Sequence, residues 1–226
     1  FEITEATDKL QLEKIERSSE SKNYKVLLTE DNDLNQKLAK HILEKNNMVV
    51  EIAANGQIAV DMLKNNKYDI ILMDLQMPVM DGYVATSFIR NVLKITTPMI
   101  AMTAHSLVGE EAKCIQSGMN EYISKPYKAK ELIDKIKLLC AGEEVVSSEV
   151  SVPKALIVKA DYDLSDINQL SGGDAEFVKE MIKIFLTAIP EDLNNLNTAV
   201  KNANIAESRK IAHKIKASYA LFMIQP

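Results

Sequence analysis

Apolar and polar residues alternate along the chain in blocks that predict strands and helices in turn. From Tyr24 onward, short apolar runs typical of buried strands alternate with segments whose apolar residues recur at helical spacing. The predicted strands span residues 24–29, 48–53, 68–74, 97–104 and 120–125. The predicted helices span residues 33–46, 56–66, 83–93, 109–118 and 128–140. These successive βα units predict an α/β fold, a doubly wound five-stranded parallel sheet with helices on both faces.

The last third of the chain has a purely helical pattern. Its predicted helices span residues 163–170, 173–189, 190–204 and 205–222. Pro190 is expected in the first turn of a new helix, where its missing N–H costs no hydrogen bond. Short connections between helices are typical of antiparallel neighbours in a bundle. The three longer helices lack the fourth that a bundle normally has, so that helix is either missing or supplied by another chain. We therefore expect a second, all-α helical-bundle domain that is incomplete.

Two polar stretches set the expected domain boundaries. Residues 1–23 carry only a weak apolar stripe and predict an N-terminal linker, and residues 142–160, rich in Ser, Val and Glu, predict an interdomain linker. The expected domains are therefore 24–141 and 161–226, the second one truncated at its C-terminus. The chain opens with Phe1 rather than Met, which indicates a piece of a longer protein.

The overall composition narrows the class of protein without identifying a function. With 46% hydrophobic and 26% charged residues the chain is typical of globular domains, and its net charge of −5 gives no indication of nucleic-acid binding. No apolar stretch reaches the roughly 20 residues that span a bilayer, so we expect no membrane contact by this segment. Cys114 and Cys140 match no metal-binding spacing, which favours reduced thiols in a cytoplasmic protein.

Chemically active side chains follow the ends of the predicted strands. Ligands of open α/β sheets bind outside the carboxyl ends of the strands, where the strand order reverses. With the flavodoxin-like order 2-1-3-4-5, the first and third strands are neighbours, which brings Glu30, Asp31 and Asp74 together. Thr103 and Lys125 end the fourth and fifth strands. Three carboxylates repel one another, and a hard divalent cation such as Mg²⁺ relieves that repulsion.

Each of these residues alone has an ordinary structural interpretation. An Asp after a strand most often caps a turn, Glu30 and Asp31 can cap the helix at residue 33, and Lys125 can simply be solvated. All of them together at successive strand ends favour a reactive site instead. Asp74, partly neutralised by a cation, can attack a phosphoryl group as a carboxylate nucleophile, while Thr103 and Lys125 contact the phosphoryl oxygens.

Four segments carry a resemblance to a known family. They are VLLTEDNDLNQ, DIILMDLQMPVMDG, PMIAMTA and EYISKP, and in this order the region 24–140 resembles the receiver domains of response regulators. The resemblance implies that Asp74 is the phosphoacceptor. It also implies that Mg²⁺ is held by Asp31, Asp74 and the backbone carbonyl of Gln76, with Glu30 acting mainly through water.

The same resemblance assigns roles to residues around the metal site. Thr103 and Tyr122 match the switch pair whose reorientation reports phosphorylation. The Lys125–Pro126 peptide matches the cis bond of the family, which a proline makes accessible. Pro78 and Gly82 match the turn that follows the phosphoacceptor.

One histidine of the helical region is a candidate for phosphotransfer. The apolar stripe of the last predicted helix is expected to comprise Ile211, Ala212, Ile215, Tyr219 and Phe222. His213 lies about 200° around the helix from Ile211, so we expect it to face solvent among lysines, which is a common surface arrangement. However, AHKIKAS, preceded by GGDAEFVKEMIKIFL and LNNLNTAV, resembles histidine phosphotransfer (HPt) domains. The resemblance implies that His213 is phosphorylated and that Lys216 stabilises the phosphoryl group or the docked partner.

A receiver followed by an HPt domain resembles the C-terminal part of hybrid sensor histidine kinases. The resemblance implies a phosphorelay module of a two-component system, in which a kinase histidine outside the chain phosphorylates Asp74. The phosphoryl group then passes to or from His213 and on to a downstream response regulator. The expected partners are a sensor histidine kinase domain, in the same or another chain, and that regulator, with no nucleic acid. The expected location is cytoplasmic, in a parent protein that can be membrane-anchored.

Two alternative functions remain open. In the first, phosphorylation of Asp74 controls docking in an interaction module, and His213 takes no part in relay. In the second, the chain is a Mg²⁺-dependent phosphohydrolase, a class that requires a second acid two residues after the nucleophile. Gln76 occupies that position, which disfavours the second alternative. The sequence does not decide whether the module is itself an enzyme, or whether transfer runs within one chain or between two.

Overall fold

The computed structural model describes residues 23–103, 110–141 and 164–222. Apart from Asn23, the expected linkers 1–23 and 142–160 lie outside the described residues. The strands are β1 Lys25–Thr29, β2 Val49–Ala53, β3 Ile70–Asp74, β4 Met99–Thr103 and β5 Glu121–Ser124. The helices are α1 Asp33–Lys45, α2 Gly56–Asn65, α3 Gly82–Asn91, α4 Glu110–Gln116, α5 Ala129–Ala141, α6 Ser165–Leu170, α7 Ala175–Lys201 and α8 Ile205–Leu221. None of the described helices has the length and apolar content needed to cross a membrane.

The strands form one parallel sheet in the order β2-β1-β3-β4-β5, which confirms the predicted α/β architecture and strand order. Thr29 at the end of β1 lies opposite Ala53 of β2 and Met73 of β3. Asp74 at the end of β3 lies opposite Met102 of β4. The carboxyl ends of these strands therefore meet at one edge of the sheet, where side chains from β1 and β3 are neighbours.

Successive side chains along each strand point to opposite faces of the sheet and contribute to two apolar cores. Leu27 and Ile71 belong to a core that is closed by α2, α3 and α4. Leu28 and Leu72 belong to a core on the other face, closed by α1 and α5. Every residue of β3 and β4 is buried, because helices on both faces leave the inner strands no side that faces solvent.

The C-terminal helices extend the core that α1 and α5 close. Met181 and Phe185 of α7 and Leu221 of α8 belong to the same apolar cluster as Leu38 of α1. Phe185 also packs against Phe222, with ring centroids 4.5 Å apart. The helical region is thus packed on the sheet domain through α1, an association that the pattern of the sequence does not predict.

A side-chain cap starts α1 beside the edge of the sheet. Asn32 Oδ1 accepts hydrogen bonds from the backbone N–H groups of Leu34 and Asn35 at 3.0 and 3.2 Å. This pair of bonds satisfies two of the donors that every helix leaves unpaired at its N-terminus. Because Asn32 is the cap, the interpretation of Glu30 and Asp31 as caps of this helix is wrong, and their carboxylates remain available for other contacts.

The longest helix runs through a proline at which we expected a boundary. α7 continues without a break across Pro190, so the predicted division into helices 173–189 and 190–204 is wrong. Pro190 is exposed, and so is Leu186, whose carbonyl loses its helical partner. Water can satisfy that carbonyl on the outer side of the helix. The buried side chains Phe185 and Ile189, on the inner side, keep both halves packed as one helix.

Candidate functional site

Three acidic side chains converge at the carboxyl ends of β1 and β3. Glu30 and Asp31 follow β1 directly, and Asp74 is the last residue of β3. One carboxylate oxygen of each residue lies within 4.8 Å of the others. Glu30 and Asp74 are buried and Asp31 is half-buried. The convergence follows from the strand order, since β1 and β3 are neighbours in the sheet.

A single lysine bridges two of these carboxylates. Lys125 follows β5, and its Nζ lies 2.5 Å from Glu30 Oε2 and 2.6 Å from Asp74 Oδ2. The backbone N–H of Lys125 donates to the carbonyl of Thr103 at 2.7 Å, which ties its position to the end of β4. The Lys125–Pro126 peptide is cis, as the resemblance implied. The Lys125 ammonium reaches across β4 to the acidic cluster.

Backbone and amide donors complete the surroundings of the carboxylates. Asp74 Oδ1 accepts a hydrogen bond from the backbone N–H of Gln76 at 3.1 Å, so the Gln76 peptide lies beside this carboxylate. Glu30 Oε1 accepts from Asn35 Nδ2 at 2.9 Å and from the backbone N–H of Asn32 at 3.3 Å. Glu30 is therefore held on both oxygens, by Lys125 on one and by the start of α1 on the other.

The turn after β3 requires a glycine where α3 begins. A Cβ on Gly82 would lie 2.2 Å from the carbonyl oxygen of Asp74, a distance that no side chain can occupy. The backbone N–H of Gly82 donates to the carbonyl of Leu75 at 3.1 Å. The chain thus folds back onto the end of β3 at van der Waals contact, and Gly82 permits that approach.

Burial shifts the protonation of the acidic cluster. It raises the pKa of Glu30 to about 7, with the charge of Lys125 opposing the rise and that of Asp74 adding to it. It raises the pKa of Asp31 to about 6, again helped by Asp74. Burial lowers the pKa of Lys125, but the carboxylates of Glu30 and Asp74 outweigh burial and hold that pKa above its ordinary value. Three carboxyl groups thus share this site with the ammonium group of Lys125.

A hard divalent cation fits this donor set. The converging atoms are carboxylate oxygens, the ligands that Mg²⁺ prefers in proteins. Burial is the main cause of the raised pKa values of Glu30 and Asp31, and the charge of Asp74 adds to it. A bound cation would favour the ionised carboxylates in place of protons.

The predicted switch residues lie on one face of the sheet. Thr103 is buried at the end of β4, opposite Ser124 of β5. Tyr122 of β5 lies opposite Ala101, two residues before Thr103 on the same side of β4. Burial raises the pKa of the Tyr122 phenol, and the carboxylate of Glu111 adds to the rise. The role of Thr103 and Tyr122 as a switch stays a prediction.

The predicted histidine borders the same space as the acidic cluster. His213, Lys216 and Ala217 of α8 line a cavity of about 90 Å³ together with Asp74 and Lys125. His213 is half-buried, so the expectation that it faces solvent is wrong. The reason is that α8 packs on two sides, against α7 and against the sheet domain. For the same reason the expected apolar stripe is only partly correct.

Burial along α8 differs from the expected stripe at several positions. Ala212 is exposed, whereas Ser218 and Leu221, which the expected stripe omits, are buried. Tyr219 and Ile215 are half-buried against the apolar cluster that the helical region shares with α1. A helix that contacts two surfaces has no single apolar stripe, which is why helical periodicity alone gave an incomplete list.

Several residues of the contact between α1 and the C-terminal helices were missed by sequence reasoning. His41 of α1 stacks on Phe177 with ring centroids 3.7 Å apart. Lys45 Nζ donates to the carbonyl of Ser171 at 2.5 Å, and Lys37 pairs with Glu180. Charged and polar residues at helical spacing are typical of a solvated surface, so the sequence carries no signal that these ones lie in a contact.

Comparisons with known proteins identify the family of the sheet domain. A family model, the response regulator receiver domain, matches residues 26–137. The signal transduction histidine-protein kinase BarA of Shigella flexneri is 30% identical over 198 residues, which cover 85% of this chain and 22% of BarA. Hybrid signal transduction histidine kinase I of Dictyostelium discoideum is 41% identical over 120 residues, which cover 50% of this chain and 7% of that protein.

A solved structure is similar over the same region. It is the receiver domain of sensor histidine kinase PA1611 from Pseudomonas aeruginosa PAO1, with a magnesium ion coordinated in its active-site cleft. It is 38% identical, and the match covers 53% of this chain and 98% of that domain with a TM-score of 0.49.

The chain spans only a small part of the curated relatives it matches. The match to BarA extends over 198 residues, well beyond the segment 26–137, so the similarity continues into the C-terminal helices. The matched relatives include hybrid histidine kinases, which are proteins of two-component signal transduction. Residues 26–137 of this chain belong to the family of response regulator receiver domains.

Proposed function

We propose that the chain is a phosphorelay module in which Asp74 and His213 exchange a phosphoryl group. The observation that carries this proposal is the cavity that both side chains line, together with Lys125 and Lys216. In-line phosphoryl transfer requires the donor and the acceptor to approach one phosphorus atom from opposite sides. A single cavity bordered by an aspartate and a histidine, with a lysine beside each, supports that arrangement.

Asp74 is the proposed phosphoacceptor from a kinase histidine. One oxygen of its carboxylate attacks the phosphorus of a phosphohistidine, the N–P bond breaks, and the departing imidazole takes up a proton. The product is an acyl phosphate on Asp74. Lys125 Nζ, 2.6 Å from Asp74 Oδ2, pairs with a phosphoryl oxygen, and the hydroxyl of Thr103 donates a hydrogen bond to another.

His213 is the proposed second member of the relay. A ring nitrogen of His213 attacks the phosphorus of the acyl phosphate, the P–O bond to Asp74 breaks, and Asp74 leaves as a carboxylate while the imidazole releases its ring proton to solvent. The reverse reaction follows the same path. Lys216 lines the same cavity and is proposed to stabilise the phosphoryl oxygens during this step.

The acidic cluster is proposed to hold Mg²⁺. The proposed ligands are Asp31, Asp74 and the backbone carbonyl of Gln76, with Glu30 acting mainly through water. The convergence of the three carboxylates within 4.8 Å supports this assignment. When bound, the ion neutralises charge on the phosphoryl oxygens during transfer.

Thr103 and Tyr122 are proposed to report phosphorylation. A phosphoryl group on Asp74 adds negative charge and strong acceptor oxygens at the strand ends. The Thr103 hydroxyl would turn toward those oxygens, and Tyr122, on the same face of the sheet, would move with it. Their position on adjacent strands supports this coupling.

We propose the following organisation of the chain. A linker, residues 1–23, precedes the receiver domain at 24–141, and a second linker, 142–160, leads to an HPt helical domain at 161–226. The packing of α7 against α8 and the position of His213 on α8 support the HPt assignment. The proposed partners are the kinase domain of a hybrid sensor histidine kinase and a downstream response regulator, in the cytoplasm.

A labelling experiment tests the proposed relay. The chain is incubated with Mg²⁺ and acetyl phosphate, and the phosphate is mapped in wild type, Asp74→Asn and His213→Gln. We expect label on both residues in wild type, on neither in Asp74→Asn, and on Asp74 alone in His213→Gln. Label on His213 in Asp74→Asn would contradict relay through Asp74, as would a wild-type Asp74 label that never reaches His213.

The docking of α8 favours a second candidate function, phosphorylation-controlled interaction without relay. α8 borders the cavity that contains Asp74, so a phosphoryl group there adds charge directly under the helix. In this alternative, phosphorylation of Asp74 increases amide hydrogen exchange along α8 while His213 stays unlabelled. Label on His213 that depends on Asp74 favours relay instead.

A further inference from the structure

One buried polar contact joins α8 to the start of α1. Asn32 Nδ2 donates a hydrogen bond to Ser218 Oγ at 3.1 Å and lies 3.4 Å from the backbone carbonyl of Lys214. Asn32 is 3% exposed and Ser218 is 2% exposed. Both groups are buried, so their hydrogen bonds must be made within the protein, and Ser218 Oγ also donates to the carbonyl of Lys214 at 3.2 Å.

The direction of the Asn32 amide is fixed by the sheet domain. Its oxygen accepts the two cap bonds from Leu34 and Asn35, which leaves the Nδ2 group aimed at α8. The amide cannot rotate without breaking the cap of α1. Asn32 therefore offers α8 a donor at one defined place, directly after Asp31 of the acidic cluster.

The side chains around this hydrogen bond are mostly apolar, and their packing alone does not fix the position of α8 along the sheet domain. Leu38, Tyr127, Leu170 and Leu221 line the cavity beside this contact. Apolar side chains tolerate small shifts of a helix, whereas a buried hydrogen bond is satisfied in one position only. The contacts at the other end of α1, such as His41 with Phe177, reach α7 and the turn after α6 rather than α8.

The position of this contact along α8 determines where His213 lies. Lys214 and Ser218 are one helical turn apart and both meet Asn32, and His213 directly precedes Lys214. A shift of α8 by one residue moves it about 1.5 Å and turns it about 100°. Such a shift would break the hydrogen bond between Asn32 and Ser218 and turn His213 away from Asp74.

We propose that Asn32 and Ser218 are positioning residues that set the register of α8 over the acidic cluster. Neither side chain touches the reacting atoms, and both act through the placement of His213. The inference rests on the proposed relay between Asp74 and His213. It implies that the rate of transfer from Asp74 to His213 depends on a hydrogen bond outside the phosphoacceptor site.

The test is Ser218→Ala, compared with wild type in the full chain. After acetyl phosphate labels Asp74 in the presence of Mg²⁺, appearance of phosphohistidine is followed over time. We expect unchanged labelling of Asp74 and transfer to His213 slowed by about 10- to 100-fold, because small misplacements of reacting groups have effects of this size. The control is Ser208→Ala, which removes a similar hydroxyl bond to the carbonyl four residues back on α8, away from Asn32.

A double-mutant cycle separates positioning from general stability. Asn32→Ser keeps a side-chain cap for α1 but is too short to reach Ser218. We expect Asn32→Ser to slow transfer about as much as Ser218→Ala, and we expect Ser218→Ala to add nothing in the Asn32→Ser background. A purely structural role of Ser218 would instead give the same slowing in both backgrounds.

The outcomes distinguish this inference from the proposed function. Phosphohistidine that never forms in wild type would overturn the relay, and the inference with it. Transfer in wild type that is equally fast in Ser218→Ala, or slowing that is independent in the two variants, would overturn the inference and leave the relay intact. If Ser218→Ala does not fold, the comparison of Asn32→Ser with wild type gives the same decision.

Discussion

Asp74 and His213 border one cavity but are held in different ways. Asp74 ends a fully buried strand, and its carboxylate is fixed by Lys125 Nζ on one oxygen and by the Gln76 N–H on the other. His213 lies on α8, which rests on the sheet domain through apolar packing and a small number of polar contacts. An inner strand cannot shift without breaking hydrogen bonds on both sides, whereas a surface helix can slide or turn.

Because of this difference, substitutions in the two regions should affect different steps of the proposed relay. Substitutions at the sheet edge should impair phosphorylation of Asp74 itself. Substitutions in the helical region should leave that step intact and impair only transfer to His213.

Lys125→Met should have the largest effect on the sheet edge. It leaves Glu30 and Asp74 facing each other without a cation, and breaking a buried ion pair on one side costs about 3–5 kcal/mol. We expect a correspondingly lower urea midpoint and an approximately 100-fold slower labelling of Asp74 by acetyl phosphate. Lys130→Met, at an exposed lysine of α5, should change the free energy of unfolding by less than about 0.5 kcal/mol. Equal stability of the two variants would contradict the role given to Lys125.

Phe185→Ala should have the largest effect in the helical region. Its ring packs against Phe222 and Tyr219, and loss of a buried Phe costs about 3 kcal/mol. We expect transfer to His213 to fail while labelling of Asp74 stays close to wild type. Leu186→Ala, at the exposed neighbouring position, is the control and should leave both steps unchanged. If Phe185→Ala impairs labelling of Asp74 as strongly as transfer, the two regions are not separable in this way.

Gly82→Ala should destabilise the turn after Asp74. The new Cβ would lie 2.2 Å from the carbonyl oxygen of Asp74, and relief of that overlap costs about 1–3 kcal/mol. We expect weaker Mg²⁺ binding and slower labelling of Asp74, measured by calorimetry and by acetyl phosphate.

Gly173→Ala provides the matched glycine in the helical region. Its φ of +79° strains any other residue by about 1–2 kcal/mol, but a Cβ there meets no atom within 4 Å. This variant should lose stability without slower labelling of Asp74. Slower labelling in both variants would show a general effect of stability rather than a local one at the turn.

The pH dependence of stability gives a further test of the sheet edge. The pKa of Glu30 is raised to about 7 in the folded state, so the folded state binds this proton more tightly than the unfolded state does. Its contribution to the free energy of unfolding is therefore lost as pH rises from about 5 to about 7. Without Mg²⁺, we expect the melting temperature to fall over that range, and Glu30→Gln should reduce the fall. A melting temperature equally sensitive to pH in both proteins would contradict the shifted pKa of Glu30.

The acidic cluster at the sheet edge was predictable from the sequence, because the strand order determines which side chains lie close together. Once β1 and β3 are neighbours, the carboxylates that follow them must meet, and the sequence contains both the apolar runs and the acids. The pattern could not show that Asn32, between the acids and α1, both caps the helix and meets Ser218.

The arrangement of the helical region was less predictable. A proline often marks the start of a helix, but Pro190 lies inside α7. Its side of the helix is exposed, and the opposite side is packed against the core, so the helix continues through it. His213 looked solvent-facing because periodicity assigns one buried side to each helix, whereas α8 contacts two surfaces. The docking of the helical region on the sheet domain depends on the three-dimensional shapes of both, and the spacing of apolar residues in the sequence does not reveal those shapes.

The most direct test of the account asks whether transfer from Asp74 to His213 occurs within one chain. Asp74→Asn and His213→Gln chains are mixed, each unable to relay alone, and phosphohistidine formation is compared with that of wild type at the same total concentration. The shared cavity predicts rapid transfer in wild type at a rate independent of protein concentration, and at least about 10-fold slower transfer in the mixture. A mixture as fast as wild type, or no phosphohistidine in wild type, would contradict the account.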